Sequence, residues 1–527
     1  MKLLQRTIVV SFCGLACAAV CPAGESAGVP LVDAVEIDDL KNTWRHLSNE
    51  SVMFPMDMSQ MTVKIGPERQ LFLDNYLIAS AQGVTRQVRP PERYAGNPVL
   101  APPLAEMNHV IAQHVLQFET SPRFRMWYWS YDDWQTLPDR QRIRFATSYA
   151  TSEDGKSWTL PRLDLYQVDG LADSTNVVLP YGLMQGLFHD TTEADPEKRF
   201  KALVCVERKN PVVREGYYLH TSPDGIHWKG DLSRPVIPSL TGGYGIPQNG
   251  IGDTTRFWWD PIRRKYIGDV KFVIDPGKKR CRGVMESDDL LHWTRPVPTL
   301  YARADDAQIY GHRGFTYQGM YIGMRWIFLP EYSGRHSSHV ELDCSRDGRI
   351  WTRVGSGQPF MGYNPRHDTW DATIMRPVSM LEVGDELWIY YFAAPSELET
   401  MNPNYPKSAP REWSVGLATL SRDRFVSIDA GTGRGALTTR PLHFSGSRLH
   451  INAEIEEGGE ISVAVLDHDG SPVDGFDHGD CRPLGGDSID FPVEWKNGSD
   501  LAAGASAGLR FRFQLHRARL YSFRVGP

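Results

Sequence analysis

The sequence predicts an all-β protein, a five-bladed β-propeller followed by a C-terminal β-sandwich. Three observations carry this. A short turn is written four times, as Ser152-Glu153-Asp154-Gly155-Lys156-Ser157-Trp158, Ser222-Pro223-Asp224-Gly225-Ile226-His227-Trp228, Ser287-Asp288-Asp289-Leu290-Leu291-His292-Trp293 and Ser345-Arg346-Asp347-Gly348-Arg349-Ile350-Trp351. A worn fifth copy, Ser421-Arg422-Asp423-Arg424-Phe425, keeps Ser and Asp and replaces Trp by Phe. An aromatic-rich strand precedes each turn in phase, and no stretch of useful length has helical periodicity. Each unit therefore reads as a four-stranded sheet, and such sheets repeated radially make a propeller.

The turn has a local logic. Ser and Asp side chains bond nearby backbone groups, Gly supplies positive φ, and Trp offers a large apolar face to a neighbouring sheet. The strands in phase with it are 124–129, 200–206, 266–272, 321–326 and 387–392.

In chain order, residues 1–27 read as a secretory signal: Lys2 and Arg6, then an apolar run from Thr7 to Val20 that is too short to span a bilayer. The expected location is secreted or periplasmic, with a lipoprotein anchor at Cys17 or Cys21 as the lesser alternative. Residues 28–64 form an extended lead-in. A strand at 70–78 completes the last blade or covers the propeller's side. The propeller spans 65–430, a glycine-rich linker follows at 430–435, and the sandwich spans 441–527, with four short alternating strands at 449–453, 461–466, 509–515 and 520–525.

Composition narrows the function. A formal net charge of −7 with 23% charged residues leaves no nucleic-acid footprint. Four cysteines remain after the leader (Cys205, Cys281, Cys344, Cys481), without Cys-x-x-Cys spacing, and read as buried free thiols. No nucleotide-binding or serine-esterase motif occurs. The 15 Trp suit both blade packing and sugar stacking.

Inner strands of a propeller surround a central channel, so polar residues opening them are the candidates. Paired carboxylates suit glycoside hydrolysis, one protonating the leaving oxygen and the other attacking or activating water. Asp253 and Asp371 are the preferred pair, with Asp306 and Glu207 as further members. His114, Asn176, Tyr310, His312, Arg325, His339 and Trp370 are candidate substrate contacts. Arg325 also suits an ion pair with a carboxylate or an anionic substituent. The histidines lack metal-ligand spacing, so neither metal nor cofactor is expected. The expected partner is an oligosaccharide or polysaccharide, without nucleic acid and without a membrane span. A non-catalytic carbohydrate-binding propeller is the rival reading.

The stretches Leu71-Phe72-Leu73-Asp74-Asn75-Tyr76-Leu77-Ile78, Met126-Trp127-Tyr128, Ser222-Pro223-Asp224-Gly225-Ile226-His227-Trp228 and Leu520-Tyr521-Ser522-Phe523 resemble secreted bacterial proteins grouped with glycoside hydrolase family 32. The propeller alone is similar to families 43, 68, 117 and 130. The resemblance covers about residues 65–527 and implies propeller, sandwich and glycosidase activity. The family 32 catalytic motifs do not occur here. Met107-Asn108-His109 stands where the nucleophilic Asp would be, and Trp259-Asp260-Pro261 reads as a strand-joining turn. No catalytic residue transfers by motif.

Overall fold

The computed structural model describes residues 29–30, 58–102, 110–131, 146–166, 176–206, 213–238, 254–274, 279–301, 308–329, 337–362, 369–372, 374–394, 413–501 and 508–527. Among these residues the chain is all-β, with only short 3-10 turns such as Pro196–Lys198.

Five antiparallel meanders follow one another. The first is Ile111–Gln117, Phe124–Tyr131, Ala146–Ser152 and Val177–Leu179. The second begins Leu183–His189, Phe200–Val206, Gly216–Ser222, and the third is Arg256–Asp260, Lys265–Ile274, Lys279–Ser287 and Val297–Leu300. A single parallel pairing, Gly186 with Phe257, joins these two. The fourth begins Gln308–Tyr317, Met320–Leu329, Ser337–Ser345, and the fifth is Ile374–Val383, Glu386–Ala394 and Ser414–Ser421. The first strands of successive sheets pack side by side, and that of the fifth packs against that of the first. Aromatic and aliphatic side chains from all five fill one continuous core, including Trp326, Tyr390, Tyr391 and Phe392.

The repeated turn forms as its residues dictate. Ser152 Oγ accepts the Gly155 N–H at 2.8 Å, and Asp154 Oδ1 accepts the N–H groups of Lys156 and Ser157 at 2.8 and 2.7 Å. The same bonds recur at Ser222 and Asp224, Ser287 and Asp289, and Ser345 and Asp347. The residue after Asp is left-handed each time, at φ +70° to +80° for the three glycines and +66° for Leu290. Neighbouring sheets grip the turns. Tyr390 of the fifth donates to the Gly155 carbonyl at 2.7 Å, and Trp127 of the first donates to that of Gly225 at 2.7 Å. Trp158 packs edge-on against Tyr390 of the fifth sheet, whereas Trp293 packs on Phe257 of its own.

The worn copy acts differently. Asp423, itself at φ +70°, is buried and accepts Tyr317 Oη at 2.6 Å and Ser522 Oγ at 2.7 Å, with Arg69 at 3.4 Å. It ties the fifth turn to the fourth sheet and to the C-terminal sheet.

That C-terminal sheet is built from Val426–Thr439, Arg448–Leu466, Gly486–Pro492 and Arg510–Gly526, with Gln70–Leu71, Ile78–Gln82 and Thr85–Val88 added. Three sequence expectations change here. Residues 430–435 are not a linker but a bulged stretch inside a strand. The four short strands expected after 441 lie on two long ones, bent where Gly458 at φ +73° and Gly459 interrupt the pairing between Ile455 and Glu460. Gln70–Leu71 pairs with the last strand of the chain, and the fifth sheet is instead completed by Glu92–Arg93. A second apolar core, with Phe72, Ile451, Phe511, Phe513 and Phe523, fills this unit.

Candidate functional site

The first strands of four of the five meanders carry a β-bulge, at Gln113, Gln185, Tyr310 and Val378. Bulges re-aim neighbouring side chains. Beside them, Arg256, Arg313 and Arg376 stand on the inner strands of the third, fourth and fifth sheets, each nearly buried. The Arg256 and Arg376 guanidinium carbons lie 5.5 and 5.7 Å from the ring centroid of Trp326, a residue of 0% exposure. Arg376 also covers Tyr310 at 4.2 Å, with Phe392 and Trp413 each 5.7 Å away. Desolvated cation–π contacts of this kind are worth about 2 kcal/mol each and hold the guanidiniums in place.

His114 stands nearly buried on the first strand of the first sheet. Burial pushes its pKa well below the usual histidine value, and the charges of Arg313 and Arg256 push the same way against a smaller opposing contribution from the Met184 backbone. The imidazole is therefore neutral at neutral pH. Its Nε2 has no hydrogen-bond partner among the described residues, and neither has Gln113 Oε1, Trp326 Nε1, or Nε and Nη1 of Arg313. Burial pushes the Arg313 pKa down to about 10, with Asp269 opposing. A neutral imidazole nitrogen suits a sugar hydroxyl donor, and an indole N–H or guanidinium suits oxygen acceptors.

A second buried cluster lies between the third and fourth sheets. Arg282 donates to Asp269 at 2.5 Å, and Arg325 donates twice to Asp343, at 2.9 and 2.7 Å. His312 stands between these carboxylates, Nδ1 3.4 Å from Asp269 and Nε2 3.4 Å from Asp343. Burial opposes the imidazolium, but the two carboxylates outweigh it and raise the His312 pKa. Nearby, Glu341 takes Arg353 at 2.6 and 2.5 Å and His339 at 3.1 Å.

The structure thus distributes the sequence candidates over several places. His114 and Tyr310 join the inner group. His312, Arg325 and His339 sit in the ion network. Asn176 donates to Tyr128 Oη and to the Tyr149 carbonyl, both at 2.7 Å, which ties its amide to the first sheet. Asp371 is buried, accepts Thr369 Oγ1 at 2.9 Å and pairs with Arg93 at 3.0 Å, on the strand that completes the fifth sheet. Trp370 stacks on Tyr391 with ring centres 5.8 Å apart. Asp253, Asp306 and Glu207 lie outside the described residues. Sequence reasoning missed Gln113, Arg256, Arg313, Arg376 and Trp326. The available signal was a lone arginine inside an apolar strand, as in Thr255-Arg256-Phe257 and Met375-Arg376-Pro377. Among the described residues no three His, Cys, Asp or Glu side chains converge on a metal-sized space, and no helix is long and apolar enough to cross a membrane.

No family model matches the chain. No curated protein matches it. Solved structures similar to it include one described as a glycoside hydrolase, at 13% identity and a TM-score of 0.43, covering 63% of this chain and 92% of that one. Another is an N-acetylgalactosamine deacetylase from F. plautii in complex with blood group B trisaccharide, at 16% identity and 0.41, covering 65% and 97%. A third is a β-1,2-mannobiose phosphorylase from Listeria innocua, at 12% and 0.41, covering 63% and 97%. These three proteins are named for three different reactions, so the likeness assigns this chain none.

Proposed function

We propose that the five meanders form a five-bladed propeller, within residues 65–430, and that the C-terminal sheet is a sandwich, at 441–527 and completed by strands from 70–88. On this reading the protein is secreted or periplasmic and is a glycoside hydrolase acting on an oligosaccharide or polysaccharide at the axis of the ring. The observation that carries it is the inner group of His114, Trp326 and Arg313. Buried polar atoms without partners cost free energy unless something bonds them, and a polyhydroxylated ligand offers both donors and acceptors. The acids belong to the segments carrying Glu207, Asp253 and Asp306. One donates a proton to the glycosidic oxygen and another attacks the anomeric carbon or activates water. Asp371, already paired with Arg93, is a positioning residue in this scheme.

Reducing-sugar release from a polysaccharide panel tests it. Asp253→Asn, Asp306→Asn and Glu207→Gln are assayed beside the parent protein, and loss of a participating acid lowers kcat by about 10²- to 10⁴-fold. Release unchanged in all three overturns the assignment. The rival, binding without turnover, is favoured by one observation: Asp269, Asp343, Glu341 and Asp371 are all engaged by arginines. Glycan binding without sugar release decides for it.

A further inference from the structure

We propose that the axial site takes a glycan bearing an anionic group, a uronate carboxylate or a sulfate ester, with Arg313 as its principal anchor. This deepens the proposed function and rests on that reading for the word glycan only.

The argument begins with charge. The chain as a whole is acidic, at −7, yet the first strands of three successive sheets each carry a nearly buried arginine. Arg256 bonds the Thr255 carbonyl, and Arg256 and Arg376 both lie over the indole of Trp326. The Arg313 guanidinium carbon lies 5.7 Å from the ring centroid of Phe315 instead. Arg313 is 7% exposed, and its Nε and Nη1 have no partner among the described residues. No described carboxylate lies within ion-pair distance of it; Asp269 is taken by Arg282.

A buried guanidinium with two unmade bonds is among the more costly arrangements a fold can retain. Its planar fork matches a carboxylate or sulfate edge in a bidentate way. The position is axial. Arg256 and Arg313 stand on the third and fourth sheets, while the first sheet packs between the second and the fifth. Burial lowers the pKa of His114 on the first sheet, and the charges of Arg313 and Arg256 add to that shift. Neutral His114 adds an acceptor for a neighbouring hydroxyl, and low-dielectric walls around like charges focus the field on an incoming anion.

Isothermal titration of the full chain with trigalacturonate, a sulfated carrageenan tetrasaccharide and neutral cellotriose tests this. One acidic ligand is expected to bind at least about 10-fold more tightly than cellotriose, with affinity falling as salt rises. The two acidic arms separate carboxylate from sulfate. Arg313→Gln is expected to weaken that ligand by about 10- to 100-fold. Arg313→Lys, which keeps the charge and loses the fork, falls between. If Arg313→Gln does not fold, as judged by circular dichroism, Arg313→Lys and the salt dependence decide. Equal affinity for neutral and acidic ligands overturns the inference, as does an Arg313 substitution without effect. Acidic binding without bond cleavage removes the hydrolase reading and leaves this one; cleavage of neutral glycans with acidic ones unbound does the reverse.

Discussion

Asp343 is fully buried, accepts two bonds from Arg325 and faces His312 at 3.4 Å. Asp343→Asn keeps the shape and removes the charge. It leaves the Arg325 guanidinium and the His312 imidazole in a low-dielectric gap with one carboxylate fewer. Breaking a buried pair from one side costs about 3–5 kcal/mol. Unfolding entropy of about 2.1 cal/mol/K per residue over 527 residues makes roughly 1 kcal/mol/K, so the expected fall in Tm is about 3–5 °C. Calorimetry and urea unfolding measure it, with Arg325→Met and the double variant Asp343→Leu/Arg325→Met alongside. Replacing both partners by apolar groups removes the orphaned charge, so the double variant is expected to recover at least half of the loss. A fall below about 1 °C for Asp343→Asn, or a double variant as unstable as the two single losses combined, refutes the reasoning.

Three further outcomes follow from the turns and the junction. Backbone N–H groups, Ser157 first, hold Asp154 at about 2 against the ordinary 3.8. Its folded pKa is depressed, so its contribution is present above pH 4 and is lost as pH falls through about 2; Tm in that window is expected to drop less steeply in Asp154→Asn than in the parent. Gly225 sits at φ +80°, where an added Cβ would meet the Trp127 ring at 2.7 Å, whereas Gly384 at φ +61° has open space. Gly225→Ala is expected to cost more than Gly384→Ala by about 1–3 kcal/mol in urea unfolding, the shared backbone strain cancelling. Asp423→Ala strands Tyr317 Oη, Ser522 Oγ and Arg69 at once, and protease cleavage between the fifth and the C-terminal sheets is expected to accelerate by at least about 10-fold.

The parts of this fold that were legible in the sequence are those whose cause is local. The Ser-x-Asp-Gly turn closes on bonds spanning at most three residues, so its letters reveal it even where Leu290 replaces glycine. The C-terminal strands misled because Gly458 and Gly459 look like a break, while the pairing of 448–466 with 510–526 carries the chain through a bulge. The inner arginines were hidden for another reason. An Arg in an apolar strand reads as an edge residue until the packing of the first strands of successive sheets against one another is seen. Asp371 stood at the expected place in the repeat, but Arg93, distant in sequence, claims its carboxylate.

The pairing of Glu92–Arg93 with Ser414–Ser421 has a consequence for biogenesis. The strand that finishes the fifth sheet is translated before any of the five meanders, and its partner is translated after nearly all of them. A nascent chain therefore carries an unpaired strand rim until the roughly 325 residues from Arg93 to Ala418 have left the ribosome. Closure of the fifth sheet is therefore expected late in synthesis, and a pause before residue 414 is expected to prolong the interval in which that rim is exposed.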